Sequence, residues 1–373
     1  MIEIIKKSSE WIKKETVLVV SAIAAFISML FVPFNIKDYV TYIDFRVLAI
    51  LFCLMAVISG FQKINVFDVL ARKLLLGVKD TRKLVFLLVL LCFGTSMWIT
   101  NDVSLIAFVP FTILVLQKIK KEKLLIYVIV MQTIAANLGS MLTPVGNPQN
   151  LYLYSHYGLS ALEFFKITIP IVIVSFFCLI ACIFFVEKEE IVVELGEIAQ
   201  VKEQKKFVIY VLLFVLCIAT VFHVLPYYIT LAFTCFVLII IDASIFVKID
   251  YSLLATFICF FLFVGNVGGI EFIKDRIGGV IRGKELFASI LMSQGISNVP
   301  AAVLLSSFTE NAKGLIMGTN IGGLGTLIAS LASLISYKLY SRTEGARSGR
   351  YLWVFTKYNV LFLVILISVT RLL

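Results

Sequence analysis

Long apolar runs follow one another along nearly the whole chain and are separated by short polar segments. Several of these runs approach or exceed about 18 residues without a charge, the length that a helix needs to cross roughly 30 Å of hydrocarbon. The pattern therefore predicts an all-α polytopic membrane protein with about nine transmembrane helices. The predicted spans are residues 16–33, 45–61, 124–144, 167–186, 207–224, 228–246, 251–268, 314–337 and 354–371.

Two more segments, 84–117 and 286–308, are apolar on both sides of a polar break. Because each apolar arm is short for a full crossing, we predict that both segments are re-entrant hairpins, which enter the membrane and return to the same face. Two full crossings in each segment are the alternative, since both arrangements leave the remaining spans in the same orientation.

The composition agrees with a membrane protein. Of the 373 residues, 61% are apolar and 15% are charged, whereas soluble domains are about half apolar and a quarter charged. The net charge of +10 is better explained by the positive-inside rule than by nucleic-acid binding, because most Lys and Arg residues fall in inner segments when the N-terminus is inside. We therefore predict a multi-pass protein of the cell (inner, cytoplasmic) membrane with its N-terminus inside, its C-terminus outside and no nucleic-acid partner.

The second half of the chain repeats motifs of the first half in the same order. The paired segments are 44–53 with 250–259, 100–103 with 297–300, and 137–143 with 320–326. The last pair shares the pattern Asn-x-Gly-x-x-x-Thr, which is unlikely to recur by chance at corresponding places. The chain is therefore predicted to contain an internal repeat.

The two repeats are predicted to be inverted, because the spans 45–61 and 251–268 are the second and the seventh and so run in opposite directions. Inverted repeats with broken helices are typical of secondary transporters, whose binding site lies near the membrane midplane where the repeats meet. The predicted units are the first repeat 1–190 with a broken helix at 124–154, a cytoplasmic linker at 191–206, and the second repeat 207–373 with a broken helix at 314–337.

Four polar breaks occur at predicted membrane depth, at residues 100–102, 137–150, 297–300 and 320–326. Unwound backbone in hydrocarbon is tolerated only where it is buried in protein or lines a cavity, so two breaks from each half predict a shared cavity. Helices that begin after a break direct N–H groups at it, which suits an anion. Helices that end at a break offer carbonyl oxygens, which suit Na⁺ together with Asn and Thr side chains.

The candidate site residues come from these breaks. Asp102 is the only acid in them, and an acid inside the membrane is by default a functional candidate. We predict substrate contacts at Thr100, Asn101, Ser297, Asn298, Asn147 and Thr326. We predict ion or proton coupling at Asp102, Asn137, Gly139, Thr143, Asn320 and Gly322, with a Na⁺ site at Asn101, Asp102 and Asn298. Interhelical hydrogen bonding is the alternative role of Asn137 and Asn320, and a close helix crossing is the alternative for Gly322.

These motifs resemble the ion transporter superfamily, which contains citrate transporters, divalent-anion/sodium symporters and arsenite permeases. Ser297-Asn298-Val299 is similar to the hairpin-tip Ser-Asn-Thr motif of the carboxylate symporters, with Val299 in place of Thr. Thr100-Asn101-Asp102 is closer to the Asn-Asp of arsenite permeases. The resemblance covers nearly the whole chain. It implies a scaffold and a mobile transport unit that moves elevator-fashion, usually in a homodimer.

The sequence thus predicts an ion-coupled secondary transporter of a small anion in the lipid bilayer, either a citrate- or dicarboxylate-type carboxylate or an arsenite-type oxyanion. The alternative is a sodium/proton antiporter that uses Asp102. No nucleotide-binding loop or catalytic group is visible at depth, so we expect no enzyme and no cofactor apart from coupling Na⁺ or H⁺. An accessory ATPase, which the resemblance to arsenite permeases leaves open, cannot be read from this chain.

Overall fold

The computed structural model describes residues 15–32, 36–193, 201, 203–270, 276 and 278–371. In these residues the chain forms α-helices, two 3-10 helices (Glu122–Leu124 and Ala243–Lys248) and one isolated β-bridge between Asp80 and Glu190. The α-helices are α1 (Thr16–Met29), α2 (Ile36–Tyr42), α3 (Phe45–Lys63), α4 (Val66–Leu75), α5 (Thr81–Ile99), α6 (Asn101–Lys118), α7 (Leu125–Gly139), α8 (Pro148–His156), α9 (Ala161–Phe184), α10 (Gln204–Val221), α11 (Tyr227–Asp242), α12 (Tyr251–Gly268), α13 (Glu285–Ile296), α14 (Asn298–Ser306), α15 (Ala312–Ile321), α16 (Leu331–Ser341) and α17 (Ser348–Thr370).

Within the described residues, 9 helices are long and apolar enough to cross a membrane. They are α3, α5, α6, α7 with its preceding 3-10 turn, α9, α10, α11 with its following 3-10 turn, α12 and α17. The prediction of an all-α polytopic membrane protein is confirmed. The set of spans differs in part, because α1 has only 14 residues and the predicted span 314–337 is interrupted at 322–330.

The two hairpin segments differ in length. In the first, α5 has 19 residues and α6 has 18, and each is long and apolar enough to cross the hydrocarbon. In the second, α13 has 12 residues and α14 has 9, so they extend only about 18 and 14 Å at 1.5 Å per residue. Each arm of the first hairpin is therefore a few residues longer than the apolar run that predicted it, because α5 begins at Thr81 and α6 begins at Asn101. The re-entrant path of both segments stays a prediction.

Both predicted broken helices contain a non-helical stretch. The first helix ends at Gly139 and the chain resumes as α8 at Pro148, where Asn147 caps the new helix by accepting a hydrogen bond from the Asn150 N–H at 2.9 Å. The second ends at Ile321 and resumes at Leu331. We call the non-helical residues 140–147 the first break and the non-helical residues 322–330 the second break. The other two of the four polar breaks are the tips of the two hairpins, at Thr100 and Ser297.

The helices around each break pack in the same way in both halves. In the first half, α5 contacts α6 and α7; in the second, α13 contacts α14 and α15. The contacts between the halves also correspond, since α6 packs on α16 while α14 packs on α8. Separately, α3 packs with α10 and α11, and α1 packs with α12. The two halves thus share a pattern of helix contacts, while the inverted repeat itself stays a prediction.

Candidate functional site

The two hairpin tips have the same backbone conformation. Thr100 has φ 68° and ψ 149°, and Ser297 has φ 75° and ψ 155°. This region is essentially restricted to glycine and costs on the order of 1–3 kcal/mol for other residues, so the surrounding structure must hold both tips in place. It does so through the next residue of each tip. The Asn101 N–H donates to the Gly146 carbonyl at 3.2 Å, and the Asn298 N–H donates to the Ala329 carbonyl at 3.0 Å.

A threonine in each break binds the hairpin of the same half. The Thr143 hydroxyl donates to the Met97 carbonyl, and the Thr326 hydroxyl donates to the Gln294 carbonyl at 3.1 Å. Both carbonyls lie three residues before the tip of their hairpin. The two threonines predicted to contact substrate or ion therefore anchor the breaks to the hairpins.

Gly139 and Gly322 are the points at which the broken helices touch the hairpins. A Cβ atom at Gly139 would lie 2.1 Å from the Phe93 carbonyl oxygen and 2.6 Å from the Ser96 hydroxyl. A Cβ atom at Gly322 would lie 2.8 Å from the hydroxyl of Ser293, the counterpart of Ser96 in the second hairpin. Both glycines permit a close helix crossing, which was the alternative interpretation for Gly322.

Asn137 connects the first broken helix to the second half. Its amide oxygen accepts hydrogen bonds from the Asn101 amide at 2.9 Å and from the Ser330 hydroxyl at 3.0 Å. Its amide nitrogen has a long contact of 3.5 Å to the Ser333 hydroxyl. Because all four side chains are buried, these bonds fix the first tip, the first broken helix and the start of α16 relative to one another.

Asn320 makes the corresponding bonds from the second broken helix to the first half. Its amide oxygen accepts from the Asn147 amide at 3.1 Å, and its amide nitrogen donates to the Asn150 amide oxygen at 2.6 Å. Asn147 and Asn150 occupy the cap and third positions of α8, as Ser330 and Ser333 do in α16. Each broken helix is thus held by two side chains of the other half, and we call this set of bonds the amide network.

A cavity of about 230 Å³, the Asp102 cavity, lies beside the first tip. The Asp102 carboxylate makes no hydrogen bond or ion pair with any described residue, although the Asp102 N–H donates to the Asn101 side-chain oxygen at 3.0 Å. The carboxylate is therefore available to a ligand. The cavity is lined by Leu51, Leu54, Met55, Ile58, Ser59, Gln62, Thr100, Asp102, Val103, Ile106, Val145, Asn147, Pro148, Leu151, Lys248, Asp250, Leu253 and Ile335.

A second cavity of about 390 Å³, the Ser297 cavity, lies at the corresponding place in the second half. Its lining includes Ser297, Pro300 and Leu334, which are the repeat counterparts of Thr100, Val103 and Leu151 in the Asp102 cavity. This second lining is almost wholly apolar, because Ser21 and Ser297 are its only described residues with polar side chains. Val299, which stands where the first tip has Asp102, is buried and is not part of the lining. The charge asymmetry of the two tips thus extends to the two cavities.

The structure gathers only part of the predicted site at one place. Thr100, Asp102 and Asn147 line the Asp102 cavity, and Asn101, Asn137 and Asn320 lie in the amide network. Asn298 accepts from the Ser297 hydroxyl at 3.4 Å, and its hydrogen bonds with described residues do not reach Asn101. Thr326 is bound to the second hairpin. A Na⁺ site shared by Asn101, Asp102 and Asn298 therefore stays a prediction.

The sequence interpretation missed Gln294, whose side chain holds the second break. The amide nitrogen lies 3.0 Å from the Gly322 carbonyl and 3.0 Å from the Leu324 carbonyl, and the amide oxygen accepts from the Thr326 N–H at 2.9 Å. The signal in the sequence was a glutamine three residues before the tip, in a helix whose other polar residues are Glu285, Ser289 and Ser293. Met97 is its counterpart in the first hairpin and lacks an amide.

We expect Gln294→Ala to lower the stability of the second half. Removal of the amide leaves carbonyl groups of the break without partners, and each unsatisfied buried group costs about 1–3 kcal/mol. Hydrogen exchange of residues 322–326 should accelerate, and the unfolding temperature in detergent should fall. Met97→Ala is the matched control and should leave exchange in the second break unchanged; equal effects of both variants would contradict the role of Gln294.

Asp250 and Lys248 are two further residues that the sequence interpretation did not assign to the site. Asp250 begins one of the repeat motifs, but nothing in the local pattern indicates that it faces a cavity. Both side chains line the Asp102 cavity and are exposed. The four breaks themselves contain no Lys, Arg or His, while Lys248 reaches the same cavity from another element.

The sequence profile of the citrate transporter family, CitMHS, matches residues 9–314, which is most of the chain. The chain belongs to this family. The resemblance to the ion transporter superfamily is therefore confirmed, and the citrate transporter family is one of multi-pass membrane transporters.

Two relatives of this CitMHS member cover most of both chains. It is 32% identical over 339 residues to "Uncharacterized transporter MJ0456" of Methanocaldococcus jannaschii, and the match covers 88% of this chain and 90% of the relative. It is 29% identical over 341 residues to "Inner membrane protein YbiR" of Escherichia coli, and the match covers 88% of this chain and 87% of the relative. A shorter match to "Putative transporter arsB" of Dictyostelium discoideum is 27% identical over 150 residues, 40% of this chain and 26% of the relative. The family and these names indicate a transporter rather than an enzyme.

Proposed function

We propose that this CitMHS protein is an ion-coupled secondary transporter of a small anion, with Asp102 as the residue that binds the coupling ion. The observation that carries the proposal is the Asp102 carboxylate, which has no described partner and faces a cavity beside an unwound segment. The substrate class is a citrate- or dicarboxylate-type carboxylate, or an arsenite-type oxyanion. The localisation is the cell (cytoplasmic) membrane, with the N-terminus inside.

The geometry supplies a physical reason for coupling. An anion in the Asp102 cavity would be repelled by the Asp102 carboxylate, and this repulsion is strong where little water screens it. A proton or Na⁺ on Asp102 removes the repulsion, so cation and anion each favour binding of the other. The N-terminus of α6, the Thr100 hydroxyl and Lys248 provide positive potential or hydrogen-bond donors for the anion.

Alternating access is proposed to follow an elevator motion in a homodimer. Both cavities lie between two groups of helices: α3, α12 and α1 on one side, and the hairpins and broken helices on the other. The amide network joins the first tip to the broken helices of both halves. Gln294 and Asn298 bind the second hairpin to the second break, so the hairpins and broken helices are suited to move as one unit. Movement of that unit past the other helices would open one cavity and close the other.

Sodium/proton antiport is the second candidate function. It is favoured by the same unpartnered Asp102 and by the absence of Lys, Arg and His from the four breaks, because exchange of Na⁺ and H⁺ requires one carboxylate and no anion site. In that case the Asp102 cavity would bind and release only cations.

An experiment with purified protein distinguishes the two functions. Proteoliposomes containing a pH-sensitive dye are given an inward Na⁺ gradient, with citrate, succinate or arsenite present or absent. We expect a change of internal pH, or uptake of labelled anion, only when one of these anions is present. A pH change without anion would establish the antiporter instead, and a response equal to that of empty liposomes under all conditions would contradict both functions.

Thermal unfolding gives an independent measure. An anion that binds the folded protein stabilises it by about 2.7 kcal/mol at a concentration of a hundred times its Kd. We expect the bound anion to raise the unfolding temperature more in the presence of Na⁺ or at acidic pH than in choline at alkaline pH. Equal stabilisation under both conditions would contradict the coupling at Asp102.

A further inference from the structure

The Asp102 cavity connects its buried end to the protein surface. Three ionisable side chains line it: Asp102 at the first tip, and Lys248 and Asp250 at the junction between the 3-10 helix Ala243–Lys248 and α12. Asp102 is partly buried, while Lys248 and Asp250 are exposed. A cation that reaches Asp102 by this cavity therefore passes Lys248 and Asp250 first.

The Asp250 carboxylate has one oxygen that is free to bind a cation. One oxygen caps α12 by accepting from the Leu253 N–H at 2.9 Å, and the other makes no bond with a described residue. Its repeat counterpart Asp44 uses both oxygens, because one accepts from the Val47 N–H at 3.0 Å and the other from the Ser155 hydroxyl at 3.1 Å. Only the acid that lines the cavity thus keeps a free oxygen.

Neither of the two nearby lysines forms an ion pair with Asp250, so a cation from the solvent can bind its carboxylate. Lys248, two residues earlier, forms no ion pair with a described residue. The nearby Lys63 forms an ion pair with Asp242 at 2.5 Å and not with Asp250. Asp250 and Asp102 line the same cavity, so a cation at one carboxylate is stabilised by the negative charge of the other.

We propose that Asp250 is a second cation-binding carboxylate of the transport route, through which the coupling proton or Na⁺ exchanges between solvent and Asp102. The proposal rests on the proposed function of Asp102 and adds a residue to it. For a proton, an O–H bond at the Asp250 carboxyl breaks as one forms at the Asp102 carboxylate, with water as the intermediate carrier and no change of oxidation state. For Na⁺, the ion exchanges carboxylate oxygens in the same order. Lys248 opposes cation entry and favours anions.

The test measures occupancy of Asp102 without requiring a known anion. A hydrophobic carbodiimide modifies protonated carboxyl groups inside membranes, and mass spectrometry of the purified protein quantifies the modification at Asp102. Protons promote the reaction and Na⁺ prevents it. The Na⁺ concentration that gives half-protection and the proton concentration that gives half-maximal labelling therefore report the cation affinity of Asp102.

In Asp250→Asn we expect both concentrations to rise, by about tenfold, the lower end of what charge focusing in a cleft contributes. Asn is as good a helix cap as Asp, so this variant removes the charge and keeps the cap. Asp44→Asn is the matched control and should leave both concentrations unchanged. Lys248→Gln, which removes an exposed cation and no cap, should lower both.

Opposite shifts in Asp250→Asn and Lys248→Gln would not arise from a structural role of the junction. Unchanged concentrations in Asp250→Asn, or shifts of the same sign in both variants, would overturn this proposal and leave the role of Asp102 intact. Absence of labelling at Asp102 in the unmodified protein at every pH, with coupled transport retained in Asp102→Asn, would overturn the proposed function as well. The two failures are therefore distinguishable.

Discussion

Asp102→Asn is expected to reduce ion-coupled uptake in proteoliposomes to the level of empty liposomes. The substitution keeps the size and shape of the side chain and removes its ability to bind a proton or Na⁺. Because the carboxylate makes no hydrogen bond or ion pair with a described residue, the substitution removes no such bond from the folded protein. We therefore expect an unchanged elution volume in size-exclusion chromatography and an unfolding temperature equal to or above that of the parent protein.

Asp80→Asn serves as the control for this experiment. Asp80 begins the same hairpin and caps α5 by accepting from the Lys83 N–H at 2.8 Å, and Asn preserves such a cap. It does not line the Asp102 cavity, so transport should remain at the parent rate. If Asp102→Asn transported at the parent rate with the parent pH dependence, Asp102 would have no part in coupling.

The two hairpin tips differ in charge, although their backbones are alike. Both tips share a backbone conformation and a bond from the following asparagine to a carbonyl of the break. They differ in the next side chain, Asp102 in one and Val299 in the other. The two tips thus border one cavity that contains an aspartate and one cavity that is almost wholly apolar. Under the proposed function, the coupling ion would bind in the first half.

The sequence pattern was sufficient for the fold class and for the positions of the breaks. Runs of apolar residues report burial in lipid or in protein, and Gly, Pro and Asn in such runs report where a helix stops, as at Gly139 and Asn147. The same pattern made the arms of the first hairpin a few residues too short, because α5 and α6 include the polar residues 81–83 and 101–102 that lie outside the apolar runs. Arm length depends on packing against α7 and α16, which local sequence does not encode.

The candidate site was predictable in its residues but not in its arrangement. Asn137 and Asn320 were identified as polar groups at depth, but their reciprocal bonds join residues that are far apart in sequence. Asp250 was identified only as the first residue of a repeat motif. Its position in the cavity lining depends on where α12 lies relative to the first tip. Tertiary contacts of this kind follow from the packed assembly and not from any single segment.

Gly139→Ala is expected to have the largest effect on stability. The new Cβ atom would lie 2.1 Å from the Phe93 carbonyl oxygen and 2.6 Å from the Ser96 hydroxyl, and backbone cannot move aside as a side chain can. The helices α5 and α7 would separate, at a cost at or above the roughly 1–3 kcal/mol that overpacking typically produces. We expect a large fall in the unfolding temperature in detergent and a smaller yield of monodisperse protein.

Gly94→Ala is the matched control, because Gly94 lies in α5 next to Phe93 and an added Cβ atom there meets nothing within 4 Å. Alanine lowers the conformational entropy of the unfolded chain, so this variant should be neutral or more stable by about 0.5–1 kcal/mol. The pair separates the effect of the contact from that of replacing any glycine in this region. Equal stability of the two variants would show that α5 and α7 do not cross at Gly139, and the amide network, which depends on Asn137 two residues earlier, would then lose its structural basis.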